Sequence, residues 1–208
     1  MVRVKICGIT NAADARAALE AGADALGFNF WRGSARYISP QEARRIIEEL
    51  PREILPVGVF VNVPDAETLA RIASEAGVRG VQLHGDETPD YCRLLSGRMV
   101  IKALRVGDDF EPESAATFET SAVLLDAFSR VARGGTGETF DWSIARRVRA
   151  LVPQLYLAGG LTPENVREAI AAVEPFAVDV CSGVESVPGR KDPARMRAFI
   201  DAVRGASE

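Results

Sequence analysis

The chain switches repeatedly between two periods of apolar and polar residues. Short runs of β-branched and other apolar residues alternate with longer stretches in which Ala and Leu recur at helical spacing among Glu and Arg. Eight runs read as strands: Val2–Cys7, Ala25–Phe30, Leu55–Asn62, Gly80–His84, Val100–Arg105, Ala122–Ala127, Leu155–Gly159 and Ala177–Cys181. The stretches between and after them read as helices: Ala12–Ala21, Pro40–Leu50, Ala66–Ala76, Pro89–Leu95, Trp142–Val152, Pro163–Ala172 and Ala194–Val203. Glu111–Thr120 should supply the missing helix, but Pro112 and its scattered polar residues predict only a short or irregular turn. Ser39-Pro40-Gln41, Pro64-Asp65 and Thr162-Pro163-Glu164 carry the capping side chain or proline that starts a helix. Gly22 and Gly77 follow two of the stretches, where a left-handed residue ends a helix.

Strict alternation of strand and helix predicts parallel strands joined by right-handed crossovers. A closed (β/α)8 barrel of the TIM type, one domain over residues 1–208, satisfies it most economically. An open doubly wound sheet would leave two edge strands and usually needs a glycine fingerprint after its first strand. Here Gly8 is followed by Ile9-Thr10-Asn11. In a barrel, chemistry belongs where the strands end. Polar residues collect at those ends: Cys7, Asn29, Asn62, His84 and Asp126, then Gly159-Gly160 and Ser182-Gly183 after the last two runs.

Alternation on the first run sets Arg3, Lys5 and Cys7 opposite Val4 and Ile6. With the apolar set facing the helices, Lys5 turns into the barrel, where a buried ammonium needs a partner. Asp179, flanked by Val178 and Val180 on the neighbouring eighth run, is the predicted one. Gly159-Gly160 precedes the helix start at Thr162-Pro163. Backbone amides without a Cβ beside them, together with a helix dipole, can surround a phosphate, and Ser182-Gly183 repeats the feature on the adjacent strand. A plain tight turn is the competing reading of the glycine pair.

Composition narrows the partners. The 208 residues are 47% hydrophobic, and 25 basic against 29 acidic side chains give a net charge of −4 with the signs interspersed. Nucleic acid is not expected as a partner, whereas a local basic pocket for an anionic metabolite is compatible with this balance. No run of about 18 apolar residues suggests a membrane span. Met1–Thr10 has no signal-peptide core, so the cytoplasm is the expected compartment. Cys7, Cys92 and Cys181 are odd in number and widely spaced, suggesting neither disulfide nor zinc site. No oligomeric state is favoured.

The segments Lys5-Ile6-Cys7-Gly8-Ile9-Thr10, Gly58–Asn62, Val81–Glu87, Leu125-Asp126-Ala127, Gly134–Gly137, Leu157–Leu161 and Asp179–Glu185 form a distinctive set. Taken together, over almost the full length, they resemble one family, the phosphoribosylanthranilate isomerases of tryptophan biosynthesis. The resemblance implies a cofactor-free, metal-free Amadori rearrangement of a small phosphorylated substrate. In that reaction an N-phosphoribosyl anthranilate aminoaldose opens to a Schiff base and becomes the 1-deoxyribulose 5-phosphate aminoketose. It further implies Cys7 as the base that takes the C2 proton and Asp126 as the acid that protonates the ring oxygen. Arg36 would bind the anthranilate carboxylate. His84 and Asp179 would line the substrate pocket, and Gly159, Gly160, Ser182 and Gly183 would hold the phosphate.

Physical chemistry sets conditions on these roles. Taken alone, Cys7 would read as an inert core thiol; as a base it needs a nearby cation, for which Lys5 is the candidate. Asp126 needs a proton part of the time, which burial among Leu124, Leu125 and Phe128 would favour. Trp31 and Phe128 are candidates to stack on the aromatic ring, Gly134–Gly137 to form a mobile loop over the site, and Cys92 and Cys181 to serve as packing residues. Two positions depart from the family pattern: Ala35 where proline is common and Cys181 where serine is frequent. The rival readings are a metal-dependent sugar-phosphate epimerase, disfavoured by a single histidine, and a non-catalytic phosphate-binding barrel.

Overall fold

The computed structural model describes residues 1–107, 109–126 and 142–206. Apolar residues at successive positions suit strands covered on both faces. Eight such runs pair in sequence order into one closed parallel barrel: β1 (Arg3–Cys7), β2 (Ala25–Asn29), β3 (Leu55–Phe60), β4 (Gly80–Leu83), β5 (Met99–Arg105), β6 (Ala122–Asp126), β7 (Leu155–Ala158) and β8 (Ala177–Val180). Around them lie α1 (Ala12–Ala21), α2 (Pro40–Ile47), α3 (Ala66–Ala76), α4 (Pro89–Arg93), α5 (Trp142–Leu151), α6 (Val166–Val173) and α7 (Pro193–Gly205). The predicted irregular segment between β5 and β6 is a 3-10 turn, Pro112–Thr117. Ala127, Phe128 and Gly134–Gly137 lie outside the described residues.

Two of the three predicted helix entries are capped as expected: Asp65 accepts from the Thr68 amide in α3, and Ser39 with Glu42 makes a reciprocal capping box on α2. Asn11, which was not expected as a cap, accepts from the Asp14 amide at the start of α1. Gly22 and Gly77 end α1 and α3 with φ of 99° and 76°. One boundary moves. The helix expected from Pro163 begins at Val166, because Asn165 Oδ1 accepts from the Thr162 amide (2.8 Å) while its Nδ2 donates to the Gly160 carbonyl (3.0 Å). Those bonds wind residues 162–165 into a turn against the glycine pair.

Side-chain alternation sorts the core into two shells. Val4, Ile6, Val123, Leu125, Val178 and Val180 pack between sheet and helices. Val57, Ile101, Leu124, Tyr156 and Ala177 fill the barrel. The first and last strands close it, with Lys5 registered against Asp179. An antiparallel hairpin that no apolar run announced follows β8: β9 (Glu185–Val187) and β10 (Arg190–Lys191), turned at Gly189 with φ of 82°.

Candidate active site

The same alternation decides which polar residues enter the mouth. Asp126 shares its parity on β6 with the inward Ala122 and Leu124, Cys7 shares that of Lys5, and Gln82 and His84 oppose the outward Val81 and Leu83. All lie at the C-terminal ends of their strands, where a barrel of this kind builds its site. β6 and β1 are three strand steps apart round the closed sheet, so Asp126 and Cys7 face one opening from different sides.

Beneath the mouth, Lys5 is fully buried and its ammonium meets Asp179 Oδ1 at 2.8 Å, as alternation predicts. Burial works against the Lys5 charge, but Asp179 and then Cys7 more than offset it and hold the proton on. For Asp179, burial and the neighbouring Cys7 outweigh Lys5, and its carboxyl is pushed up to about 6. Lys5 thus serves two anions. Lys5→Met should cost about 3 kcal/mol in urea unfolding at pH 8, because a buried carboxylate loses its counter-charge. Asp179 then titrates higher still, so the variant's native state binds the proton first and the deficit should shrink as pH falls toward 6 and level off below it, where Asp179 is protonated in both proteins. A deficit that grows on acidification would contradict the pairing.

Cys7 sits above this pair. A hydrogen bond from the Cys181 thiol, acting against burial and aided by Lys5 and Lys191, holds its own thiol well below the ordinary range. Room for the sulfur comes from β2: a Cβ on Gly27 would lie 2.8 Å from Cys7 Sγ and 3.1 Å from Lys5 Nζ. Cys181 is therefore no packing residue, unlike Cys92, which is buried. The parity that brings Asp179 inward also brings Cys181, two residues further, to the mouth beside Gly8 and Lys191.

The unannounced hairpin brings two more charges. Lys191 Nζ donates to the Cys181 carbonyl (3.0 Å) and to Glu185 Oε1 (3.0 Å), and it lies 3.7 Å from Cys181 Sγ. Glu185 also receives Arg36 through Nε at 3.2 Å and Nη2 at 2.5 Å. That grip fixes the Arg36 guanidinium at the mouth, with the Nη1 side turned away from Glu185. The Arg36 stem lies over Gly8, where a Cβ would come within 2.9 Å of its Cγ. The sequence marks this hairpin only by its turn dipeptide, Pro188-Gly189, between Glu185 and Arg190-Lys191.

His84 stands between Gln82 and Asp126. Gln82 Nε2 is 2.9 Å from His84 Nδ1, and His84 Nε2 is 3.5 Å from Asp126 Oδ2. The contact with Gln82 holds the Nδ1 edge and turns the Nε2 edge of the ring toward the carboxyl. Of the residues expected to bury Asp126, Leu124 and Leu125 are themselves buried, while the carboxyl beyond them at the strand end is 28% exposed; Phe128, the third, lies outside the described residues. Trp31 is also exposed, with its indole lying over Gly33.

Gly159 and Gly160 take φ of 89° and 64°, and a Cβ on Gly160 would meet nothing within 4 Å, so the turn opens outward. A Cβ on Gly183 would collide with the Leu161 carbonyl, which draws the loops after β7 and β8 together. Ser182 is exposed at the start of a 3-10 turn, Ser182–Val184. Gly159, Gly160, Ser182 and Gly183 thus share one side of the mouth. Among the described residues, no three His, Cys, Asp or Glu side chains are grouped to hold a metal ion, and no helix is long and apolar enough to cross a membrane.

A closed parallel barrel whose mouth joins a thiol of lowered pKa, a carboxyl group, a fixed arginine and paired glycine turns has the make-up of a (β/α)8-barrel isomerase. Residues 4–202 match the model of the N-(5'phosphoribosyl)anthranilate (PRA) isomerase family. The chain belongs to that family, and its activity is the isomerisation of phosphoribosylanthranilate in tryptophan biosynthesis. It is 53% identical over 205 residues to the N-(5'-phosphoribosyl)anthranilate isomerase of Geobacter sulfurreducens, covering 99% of this chain and 100% of that one. The crystal structure of the Thermotoga maritima enzyme superposes with a TM-score of 0.91 at 49% identity, covering 99% and 100% of the two chains. A phosphoribosyl anthranilate isomerase crystallised with reduced 1-(o-carboxyphenylamino)-1-deoxyribulose 5-phosphate gives a TM-score of 0.89 at 47% identity, with the same coverage.

Proposed function

We propose that Cys7 is the base and Asp126 the acid of this isomerisation. The carboxyl of Asp126 gives its proton to the furanose ring oxygen as the ring opens to the Schiff base. The thiolate of Cys7 then takes the C2 proton, leaving an enolamine that tautomerises to the ketose. The observation that carries this reading is the setting of Cys7, a thiol held well below its ordinary range at the barrel mouth. His84 orients Asp126, and Asp179 acts through Lys5, which stabilises the thiolate. The phosphate rests on the amides of Gly159, Gly160 and Gly183 and on Ser182.

Arg36 takes the anthranilate carboxylate on the part of its fork that Glu185 leaves open. The ligand bound in the crystallised relative has both groups that these residues would hold, a carboxyphenyl ring and a 5-phosphate. The chain works as one domain, residues 1–208, in the cytoplasm, a compartment that keeps a catalytic thiol reduced.

The test is fluorescence-monitored consumption of freshly made phosphoribosylanthranilate by the purified protein and its Cys7, Asp126 and Arg36 variants. Arg36→Met should raise KM roughly tenfold to a hundredfold, the worth of one charge-assisted hydrogen-bonded contact. Inhibition by inorganic phosphate should be unchanged in that variant. An unchanged KM would remove Arg36 from the substrate.

A further inference from the structure

The two sulfurs at the barrel mouth form a pair that the isomerisation does not require. β1 and β8 are parallel neighbours registered at Ile6 and Val180, and the next residue on each chain is Cys7 and Cys181. Adjacent strands lie about 4.8 Å apart, inside the Cα separation of about 4.4 to 6.8 Å that a disulfide spans. Both cysteines are partly exposed. Neighbouring glycines keep the space around them clear, since a Cβ on Gly8 would come within 3.0 Å of Cys181 Sγ and one on Gly27 within 2.8 Å of Cys7 Sγ.

We infer that Cys7 and Cys181 are an oxidisable dithiol that a small hydroperoxide closes to a disulfide across the β1–β8 seam. The Cys7 thiolate attacks one peroxide oxygen, becoming a sulfenic acid as the other oxygen leaves and takes up a proton. The Cys181 sulfur then attacks the Cys7 sulfur. The S–S bond forms, the S–O bond breaks, and the departing hydroxide takes the Cys181 proton to leave as water. With hydrogen peroxide the sum is two thiols oxidised by two electrons and two waters formed.

The surroundings assign the order of events. Lys5 and Lys191 favour an anion on Cys7, while Cys181, with Glu185 beside it, keeps its proton and acts as the resolving thiol. Closing the bond removes the Cys7 thiolate, so loss of activity rests on Cys7 being the catalytic base; formation of the disulfide does not.

The experiment treats the full chain with hydrogen peroxide, alkylates remaining thiols in denaturant, and maps tryptic peptides without reductant. The expected product joins the peptide 6–16 to the peptide 168–190, with Cys92 alkylated. Activity should fall at least tenfold and return with dithiothreitol. In Cys181→Ser, read against its own untreated activity, the cross-link should vanish. Cys7 should then pass to the sulfinic acid, so that the reductant no longer restores activity. Wild-type protein whose Cys7 goes to the sulfinic acid or stays alkylatable, with no cross-linked peptide, overturns the dithiol. A full yield of cross-link with activity intact supports the dithiol and instead overturns Cys7 as the base.

Discussion

Cys7→Ala is expected to lower kcat by roughly three to four orders of magnitude, about 4 to 5.5 kcal/mol of transition-state stabilisation, with KM close to its original value. The pattern follows from where the sulfur stands. Arg36 is fixed by Glu185 and the glycine turns by their own backbone, so neither depends on the thiol. Cys7→Ser should fall almost as far, because a hydroxyl keeps the size but does not ionise where a thiol does; this separates lost basicity from lost packing. The pH profile of the unaltered protein supplies a second readout. The Cys7 thiol is held below the usual value of about 8.5, so the acid limb of kcat/KM should lie well beneath that value. Activity should disappear as pH falls through the native value and the thiolate is protonated. Turnover within a few-fold of the original in both variants would remove Cys7 from the proton transfer.

Asp126→Asn is expected to cost roughly two to four orders of magnitude in kcat. The amide is nearly isosteric, and its oxygen can still face His84 Nε2, which lies 3.5 Å from the carboxylate in the unaltered chain. What it lacks is a proton acidic enough to give to a ring oxygen. The substitution sits at the rim, beyond the buried Leu124 and Leu125, so melting temperature should change little. His84→Gln, which only alters how the carboxyl is oriented, should cost about tenfold or less. If Asp126→Asn turned over normally while His84→Gln lost most activity, acid and orienting group would have to be exchanged.

Much of this site was legible because a strand with one face toward helices betrays the other face. Val4 and Ile6 against Lys5 and Cys7, and Val178 and Val180 against Asp179, were enough to predict the ion pair at the centre. Apolar runs located all eight strands to within a residue or two, since strands covered on both sides have little freedom in composition. The hairpin of Glu185–Val187 and Arg190–Lys191 had no such mark. It is held by Lys191 and Arg36 converging on one carboxylate, a contact between segments 149 residues apart that no local period encodes. The start of α6 was displaced for a related reason, because Asn165 bonds the turn in front of it rather than capping the helix behind. Asp126 was expected to be buried among Leu124, Leu125 and Phe128; the leucines are buried, but Asp126 ends its strand and keeps partial exposure, and Phe128 lies outside the described residues.

The seam between β1 and β8 makes the acidity of the nucleophile a property of the folded chain. Cys181 and Lys191, which lower the pKa of the Cys7 thiol together with Lys5, are remote from it in sequence and reach it only when β8 closes on β1. Unfolding therefore returns position 7 to an ordinary thiol.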